Sequence, residues 1–550
     1  MIGIERNLQM KISVDNQKIM VDSKKFNAVF DGATLTSLKS KDGVEFLHPE
    51  NLDVPLDVLF ADYSTFGKDK REKCAVMQLS DIAVRVILTG ADSDRSLLIT
   101  LDQSTGDMCI TPSSKTSRRG VVSVRWNVSF HPSADVILPC VNGILVKSEA
   151  DFPGNDRFPW PFRWNAQLIV SERENHTCMI YSRDMSFKFK ALNLNRKGDK
   201  TTLGFESEVV GPVWQNNTAG GVEWRINIYD GDWKVPASQY KDWLERTYQL
   251  ESKRTFRPEW VDKINFSVGW AGTDPAMLDA LAKVNPPERT LIHLSGWRTD
   301  GYDINYPNYV PSEKDKVYMK KANEMGFKVM PHFNYFSVYY DNPFYQEVRD
   351  FQIRGVHHND PQGWHWPPDT HDYTRMAYIH PGFGIWRRKL IEVVKEACGT
   401  LDAPAVFIDQ TLCTWNTDNG LVEGMTTVEG LWRLQEEFTS IHTDIVLAGE
   451  GLNEISFQRE CFAQGHIHDG WGDLKQHNVD AAHPICSYLW DRHCRLVGYY
   501  HLTPGNPDAD LGIEAYRRMG AIPTVITNNP EHINPALPAF RKLLDLIDHF

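Results

Sequence analysis

The stretch Ala405-Val-Phe-Ile-Asp409-Gln-Thr and the next of its kind, Asp444-Ile-Val-Leu-Ala-Gly-Glu450-Gly, are built alike: an apolar run that closes on a carboxylate. Working outward from them, short apolar runs alternate with amphipathic helical patterns from residue 260 onward, the mark of βα units around a parallel sheet. The strand candidates are Ile264 to Trp270, Thr290 to Trp297, Phe327 to Tyr335, Ala405 to Gln410, Asp444 to Glu450, a weaker run near Gly465 to Trp471, Cys494 to His501 and Ala521 to Ile526. Helices are expected at Ser312 to Met325, opened by a capping-box-like Ser312 and Asp315, at Gly384 to Ala397 and at Thr427 to His442. About eight such units in roughly 290 residues fit a closed (β/α)8 barrel of TIM type. An open doubly wound sheet would more often carry a glycine-rich phosphate turn, and no G-x-G-x-x-G or Walker-type sequence follows any of these strands. One connection, residues 335–384, is unusually long and carries Tyr339, Tyr340, Trp364, Trp366 and several histidines. A loop that follows a barrel strand lies on the catalytic face, so it is expected to wall or cover a cleft.

Ahead of the barrel the period changes to two. In Val122-Ser-Val-Arg-Trp-Asn-Val-Ser-Phe130 every even position is apolar, and Val222-Glu-Trp-Arg-Ile-Asn-Ile228 repeats the pattern. Ile82 to Leu88, Ser96 to Leu101 and Phe187 to Leu192 are further strand candidates, separated by turn-forming clusters. Many strands and few helical stretches imply a β-sandwich over residues 1–235. Around Asp232-Trp-Lys-Val-Pro-Ala-Ser238, Pro236 breaks the strand register and Ser238 is expected to cap a helix through Tyr240, Trp243 and Leu244. Residues 236–259 are thus read as a connecting helix and linker, and residues 260–550 as the barrel.

A chain of 550 residues exceeds a single hydrophobic core, and its 41% hydrophobic and 24% charged residues are ordinary for a globular protein. The net charge of -13 argues against a nucleic-acid surface. Seventeen tryptophans suit a protein that lays flat rings against sugar faces, although large cores also consume them. Nine cysteines without CxxC pairs read as buried thiols rather than a disulfide framework or a thiolate zinc site. Met1 to Met20 contains no continuous apolar core of a signal peptide, and no segment reaches the ~18 apolar residues of a membrane span. As it stands the sequence is expected to be cytoplasmic, without a membrane partner.

Because barrel sites form at the C-terminal ends of the strands, Asp409 and Glu450 are the first candidates for chemistry. A strand-end acid can also be a helix cap or an ion-pair partner, but two on consecutive strands reach one cleft from adjacent walls. Paired carboxylates are what glycosidic cleavage requires: one to meet positive charge at the anomeric carbon, one to protonate the leaving oxygen. Other strand ends offer sugar-binding groups: Trp270, then Trp297 with Asp300 and Asp303, then His332 and Asn334 on one face of their strand, then Trp415 and Trp471. Each of these alone reads as structural; together on one barrel face they imply a polar ligand, a carbohydrate. The rival chemistry is a metal-dependent hydrolase built on His466 and His468, an H-x-H pair aided by Asp409 or Asp473. A non-catalytic glycan-binding protein of the same fold is the other alternative. No G-x-S-x-G elbow is present.

The N-terminal sandwich, connecting helix and barrel, with Phe407-Ile-Asp409-Gln followed by Gly449-Glu450, resemble retaining alpha-glycosidases. The likeness is to the alpha-N-acetylgalactosaminidases of bifidobacterial type and, more distantly, to endo-alpha-N-acetylgalactosaminidases. It implies a retaining, exo-acting enzyme releasing alpha-linked N-acetylgalactosamine or galactose, with Asp409 as nucleophile and Glu450 as acid/base. Asp300, His332 and Asn334 resemble the residues that hold the terminal sugar. No cofactor is implied for catalysis; enzymes of this kind include some with a structural calcium, for which no ligands are assigned here.

Overall fold

The computed structural model describes residues 10–549 apart from 51, 70, 148–153, 254–256, 366–374, 468–473, 501, 503–505 and 507. Period-two alternation builds the N-terminal half as antiparallel sheets. Among the described residues, a six-stranded sheet runs Asp156–Trp160, Lys190–Lys197, Lys200–Glu208, Val121–Phe130, Leu56–Phe60, Thr65–Phe66. It faces a larger sheet that holds Met108–Thr116, His176–Tyr181 and Trp224–Asp230 at its middle. The apolar faces meet through Trp126 and Phe205 of the first sheet and Trp224 of the second, with Phe205 and Trp224 centroids 5.3 Å apart. Trp164 stacks on Trp224 at 5.8 Å. A four-stranded meander from Lys11 to Ser40 packs beside them.

The strand expected over Phe187 to Leu192 is displaced: it runs Lys190–Lys197. Phe187 lies before it with φ +50°, turned so that its ring meets Trp160 and the barrel residue Trp432. Its hydrophobicity serves an inter-layer contact rather than a strand face. The connecting helix also starts earlier than expected, at Lys234, and runs to Tyr248. Pro236 falls in its first turn, where the N–H that proline lacks has no intrahelical partner anyway. Ser238 is therefore no cap; its hydroxyl bonds the Tyr488 hydroxyl at 2.5 Å.

The second half is a barrel of eight parallel strands. They are β1 (Phe266–Gly272), β2 (Thr290–Gly296), β3 (Lys328–Asn334), β4 (Ala405–Asp409), β5 (Val446–Glu450), β6 (Phe462–Gln464), β7 (Arg495–Val497) and β8 (Thr524–Ile526). β8 pairs with β1, and a parallel bridge between Val497 and Ile522, with Ile522 N–H donating to Leu496 O at 2.8 Å, closes the ring. Helices such as Glu313–Met325, Gly384–Leu401 and Thr427–Ile441 cover the outside, the first opened by the expected Ser312 and Asp315 capping box. The weak run near Gly465 forms its strand earlier, at β6, and residues 468–473 lie outside the described residues. The long connection contains a small antiparallel sheet of Ser337–Tyr339, Arg375–Tyr378 and Gly363–His365.

Loops after β4, β5 and β6 are fastened to the sandwich. After β4, Asn416 accepts from Gly211 N–H at 3.1 Å and donates to Val209 O and Glu208 at 2.6 and 3.2 Å. After β5, Glu454 N–H donates to Asn165 O at 3.0 Å. The fully buried Glu454 carboxylate accepts from Trp160 Nε1 at 3.0 Å, from Gln167 N–H at 3.2 Å and from the Tyr240 hydroxyl. After β6, Asn142 donates to His466 O at 2.8 Å. Beside it Gly143, at φ +127°, approaches so closely that a Cβ would lie 2.0 Å from His483 O. The buried hydrogen bonds to the Glu454 carboxylate contribute about 1.5–3 kcal/mol each, the neutral ones about 0.5–1.5 kcal/mol.

Candidate active site

Along the barrel strands alternate side chains point inward, and the lower inward positions are apolar: Leu291, Met330, Ala405, Phe407, Val446, Ala448, Phe462 and Val497 pack as one cluster. Two residues further along each strand the same parity delivers His293 on β2, His332 and Asn334 on β3, Asp409 on β4, Glu450 on β5 and Gln464 on β6. All are buried. A polar layer thus caps an apolar plug at the C-terminal mouth of the barrel.

The two acids are in register. Ile408 pairs with Gly449, so Asp409 and Glu450 follow at equivalent positions on neighbouring strands. Gln410, held at φ +60°, turns its backbone N–H onto Glu450 Oε2 at 3.0 Å, so the Glu450 carboxylate rests on the peptide next to Asp409. The Gln410 side chain accepts from Asn334 Nδ2 at 2.9 Å and donates to the Tyr378 hydroxyl at 2.9 Å. Asn334 Nδ2 also reaches Asp409 Oδ2 at 3.2 Å, and His332 Nε2 lies 3.9 Å from that oxygen. His466 Nε2 is 3.4 Å from Glu450 Oε1. Behind β5, Gly449 leaves room for Thr411 and Glu460, whose side-chain oxygens would sit 2.4 and 2.3 Å from an added Cβ.

Burial first, then the charges of Glu450 and Asp303, push the Asp409 carboxyl well above the usual carboxylate range, while Asn334 and the Gln410 N–H pull the other way. Burial likewise drives His332 well below the ordinary histidine value, with His293 and Arg298 adding to it, and lowers His293 to about 3. Both imidazoles are neutral.

Trp270 sits inside β1 where its register with β2 shifts, in the left-handed region at φ +58°, and its ring stands among His293, Tyr302, His332 and Tyr499 at centroid distances of 5.2 to 6.2 Å. Tyr302 and Tyr499 both feel the Asp409 charge, which adds to burial in raising their hydroxyls. Asp303 is buried, takes the Tyr306 hydroxyl at 3.1 Å, and acts electrostatically on Asp409. These groups cluster around Asp409 at the mouth of the barrel. Asp300 is tied instead to the amides of Asn305 and Asn308 within its own loop.

Trp297 corrects an expectation: a sugar platform needs an open ring face, and this indole is 3% exposed, stacked on Tyr309 and edge-on to Phe333. Its N–H donates to His332 O at 3.2 Å, which makes it a support for β3. Trp415 lies to one side, 5.5 Å from Phe162, and lines a cavity of about 480 Å³ between barrel and sandwich with Phe162, Trp364, Tyr378, Gln410 and Asn416. Trp471, His468 and Asp473 lie outside the described residues. Among the described residues no group of three or more His, Cys, Asp or Glu side chains could hold a metal ion, and no helix is long and apolar enough to cross a membrane.

Sequence reading passed over Gln410, His293, Gln464, Tyr302 and Tyr499. The signal for His293 was present: a histidine inside the apolar run Leu291-Ile-His-Leu294 points into a barrel that otherwise takes aliphatics. Gln410 and Tyr302 stood beside acids already singled out.

A sandwich leading into a barrel is a fold that this chain shares with glycoside hydrolases of known structure. The chain resembles alpha-N-acetylgalactosaminidase NagBb from Bifidobacterium bifidum at TM-score 0.68 and 14% identity, covering 96% of this chain and 93% of that one. A GH31 family sulfoquinovosidase from E. rectale superposes at TM-score 0.57 and 12% identity, over 98% and 82% of the two chains. The GH36 alpha-galactosidase AgaB from Geobacillus stearothermophilus gives 0.50 and 10%, over 98% and 86%. A family model described as a domain of unknown function, DUF6259, matches residues 222–455. No curated protein sequence matches.

Proposed function

We propose that this protein is a retaining, exo-acting alpha-glycoside hydrolase that releases alpha-linked N-acetylgalactosamine or galactose from glycans. The observation that carries the reading is the Glu450 carboxylate resting on the peptide N–H that follows Asp409, at the mouth of the barrel. Carboxylates seated that closely favour the ~5 Å spacing of retaining enzymes over the ~6.5–9.5 Å that houses a water in inverting ones. The sugar class draws support from the structural likeness to an enzyme solved in complex with GalNAc and to an alpha-galactosidase.

Asp409 attacks the anomeric carbon while Glu450 gives its proton to the departing oxygen; Glu450 then takes a proton from water, which displaces Asp409. Before the sugar binds, burial and the neighbouring acids hold the Asp409 carboxyl above its usual range. Positive charge developing at the anomeric carbon favours ionised Asp409. Asn334 Nδ2 orients Asp409, Trp270 offers a ring face to the sugar, and Asp303 and His332 bind its hydroxyls. Trp415 serves the leaving-group side and Trp471 joins the substrate-binding set, while Asp300 acts on the sugar indirectly, by holding the loop that carries Tyr302 and Asp303.

Hydrolysis of nitrophenyl alpha-N-acetylgalactosaminide and alpha-galactoside, followed by NMR, tests the reading. The alpha anomer is expected to appear first. Asp409→Asn and Glu450→Gln are expected to lower kcat by roughly 100-fold to 10,000-fold. Azide should rescue Glu450→Gln on activated substrates, giving the alpha-glycosyl azide. A beta anomer as first product refutes retention, and unchanged rates in both variants refute the assignment of the pair.

A further inference from the structure

The mouth of the barrel holds a hydrogen-bonded chain that the two-carboxylate mechanism leaves unused. Gln464 on β6 reaches across the interior, its Nε2 3.4 Å from His293 Nδ1. His293 Nε2 is 3.0 Å from His332 Nδ1. His332 Nε2 is buried, has no hydrogen-bond partner among the described residues, and lies 3.9 Å from Asp409 Oδ2. Phe407 packs against both imidazoles, with centroids 4.0 and 5.6 Å away.

A neutral imidazole has one donor and one acceptor, so a chain of two has a direction, and both ends set it the same way. At the far end an amide nitrogen donates to His293 Nδ1; turning the amide over would strand an NH2 group where a bare carbonyl oxygen is the cheaper orphan. At the near end, a lone pair on His332 Nε2 would be repelled by the carboxyl oxygen that an N–H attracts. His293 therefore carries its proton on Nε2 and passes a hydrogen bond to His332 Nδ1. The low proton affinity that burial gives both rings keeps either from becoming a double donor.

We infer that Gln464 and His293 are positioning residues that fix His332 as its Nε2–H tautomer, a donor aimed at a substrate oxygen beside Asp409. The inference rests on Asp409 being the reacting carboxylate. It specifies the ligand: the atom bound against His332 is a hydrogen-bond acceptor, such as a lone pair of a ring hydroxyl, and not a donor.

The test is long-range 1H–15N correlation on the full chain with ring-labelled histidine, peaks being assigned by their loss in His293→Gln and His332→Gln. Nε2–H signatures are expected for both residues; an Nδ1–H signature at either one overturns the inference. Gln464→Glu replaces the donor by an acceptor-only end. At the alkaline limit of stability, where the new carboxyl is ionised, both tautomers are expected to reverse and kcat/KM to fall about tenfold or more. Reversal with an unchanged rate refutes the role of His332 as a donor to substrate. Tautomers that stay put in a folded Gln464→Glu refute control by Gln464, and if that variant does not fold the wild-type spectrum still decides. Failure of the underlying reading looks different: Asp409→Asn would keep full activity while the histidine spectra stayed as expected.

Discussion

Replacing Glu454 removes the acceptor on which the loop after β5 hangs from the sandwich. Three donors converge on its carboxylate: Gln167 N–H and the Tyr240 hydroxyl on Oε1, Trp160 Nε1 on Oε2. In Glu454→Ala all three are orphaned in a fully buried site. At about 1–3 kcal/mol per stranded donor, with some recovery as the Tyr240 hydroxyl rotates, the loss is expected near ~4 kcal/mol. In Glu454→Gln the amide oxygen can keep the two bonds on the Oε1 side, and only the Trp160 N–H meets a second donor, which sets the loss near ~1.5 kcal/mol. Because Glu454 lies just beyond Glu450, the alanine variant should also let the acid drift, and misplacement of that order costs roughly tenfold to a hundredfold in kcat. Urea unfolding followed by tryptophan fluorescence, with kcat on a nitrophenyl glycoside at low urea, measures both effects. If Glu454→Ala unfolds at the wild-type midpoint, or loses stability while kcat is unchanged, the loop is not held through this carboxylate.

Gly143→Ala places a Cβ 2.0 Å from His483 O at a φ of +127°; thermal melts should show a loss of about 3 kcal/mol or more. Burial pushes Glu460 well above the ordinary carboxylate value. Its folded state therefore holds the proton more tightly than the unfolded chain, and stability declines as pH rises above the unfolded value toward the folded one. Glu460→Gln should escape that decline, so melts at about pH 5 and pH 8 should show its stability relative to wild type improving with pH. Trp415→Ala opens the side cavity; steady-state kinetics should show KM for extended glycans rising about tenfold while KM for nitrophenyl glycosides changes little.

The barrel was legible in the sequence because its strands are apolar runs bounded by capped helices, and the acids because they end such runs. Where the expectations slipped, a tertiary contact had claimed a residue that looked local. Phe187 read as part of a strand because it is apolar; its ring is spent on Trp160 and Trp432. Trp297 read as a platform because it ends a strand; Tyr309 and Phe333 enclose it. Strand β6 is short, and its polar end at Gln464 left no apolar run to count. The pairing of Gln464 with His293 joins residues 171 positions apart, a relation that only closure of the barrel creates.

The fastening of the loops after β4, β5 and β6 to the sandwich bears on how such a protein can change over evolutionary time. A substitution at Asn165, Trp160 or Gly211 would move the platform on which a loop following an acid-bearing strand stands, so selection at the barrel mouth would reach back into the first half of the chain. Recombination that exchanged the sandwich for that of a relative would have to carry the partners of Asn416, Glu454 and His466 with it. On this geometry the two halves are expected to change together, the sandwich only as fast as the loops it holds permit.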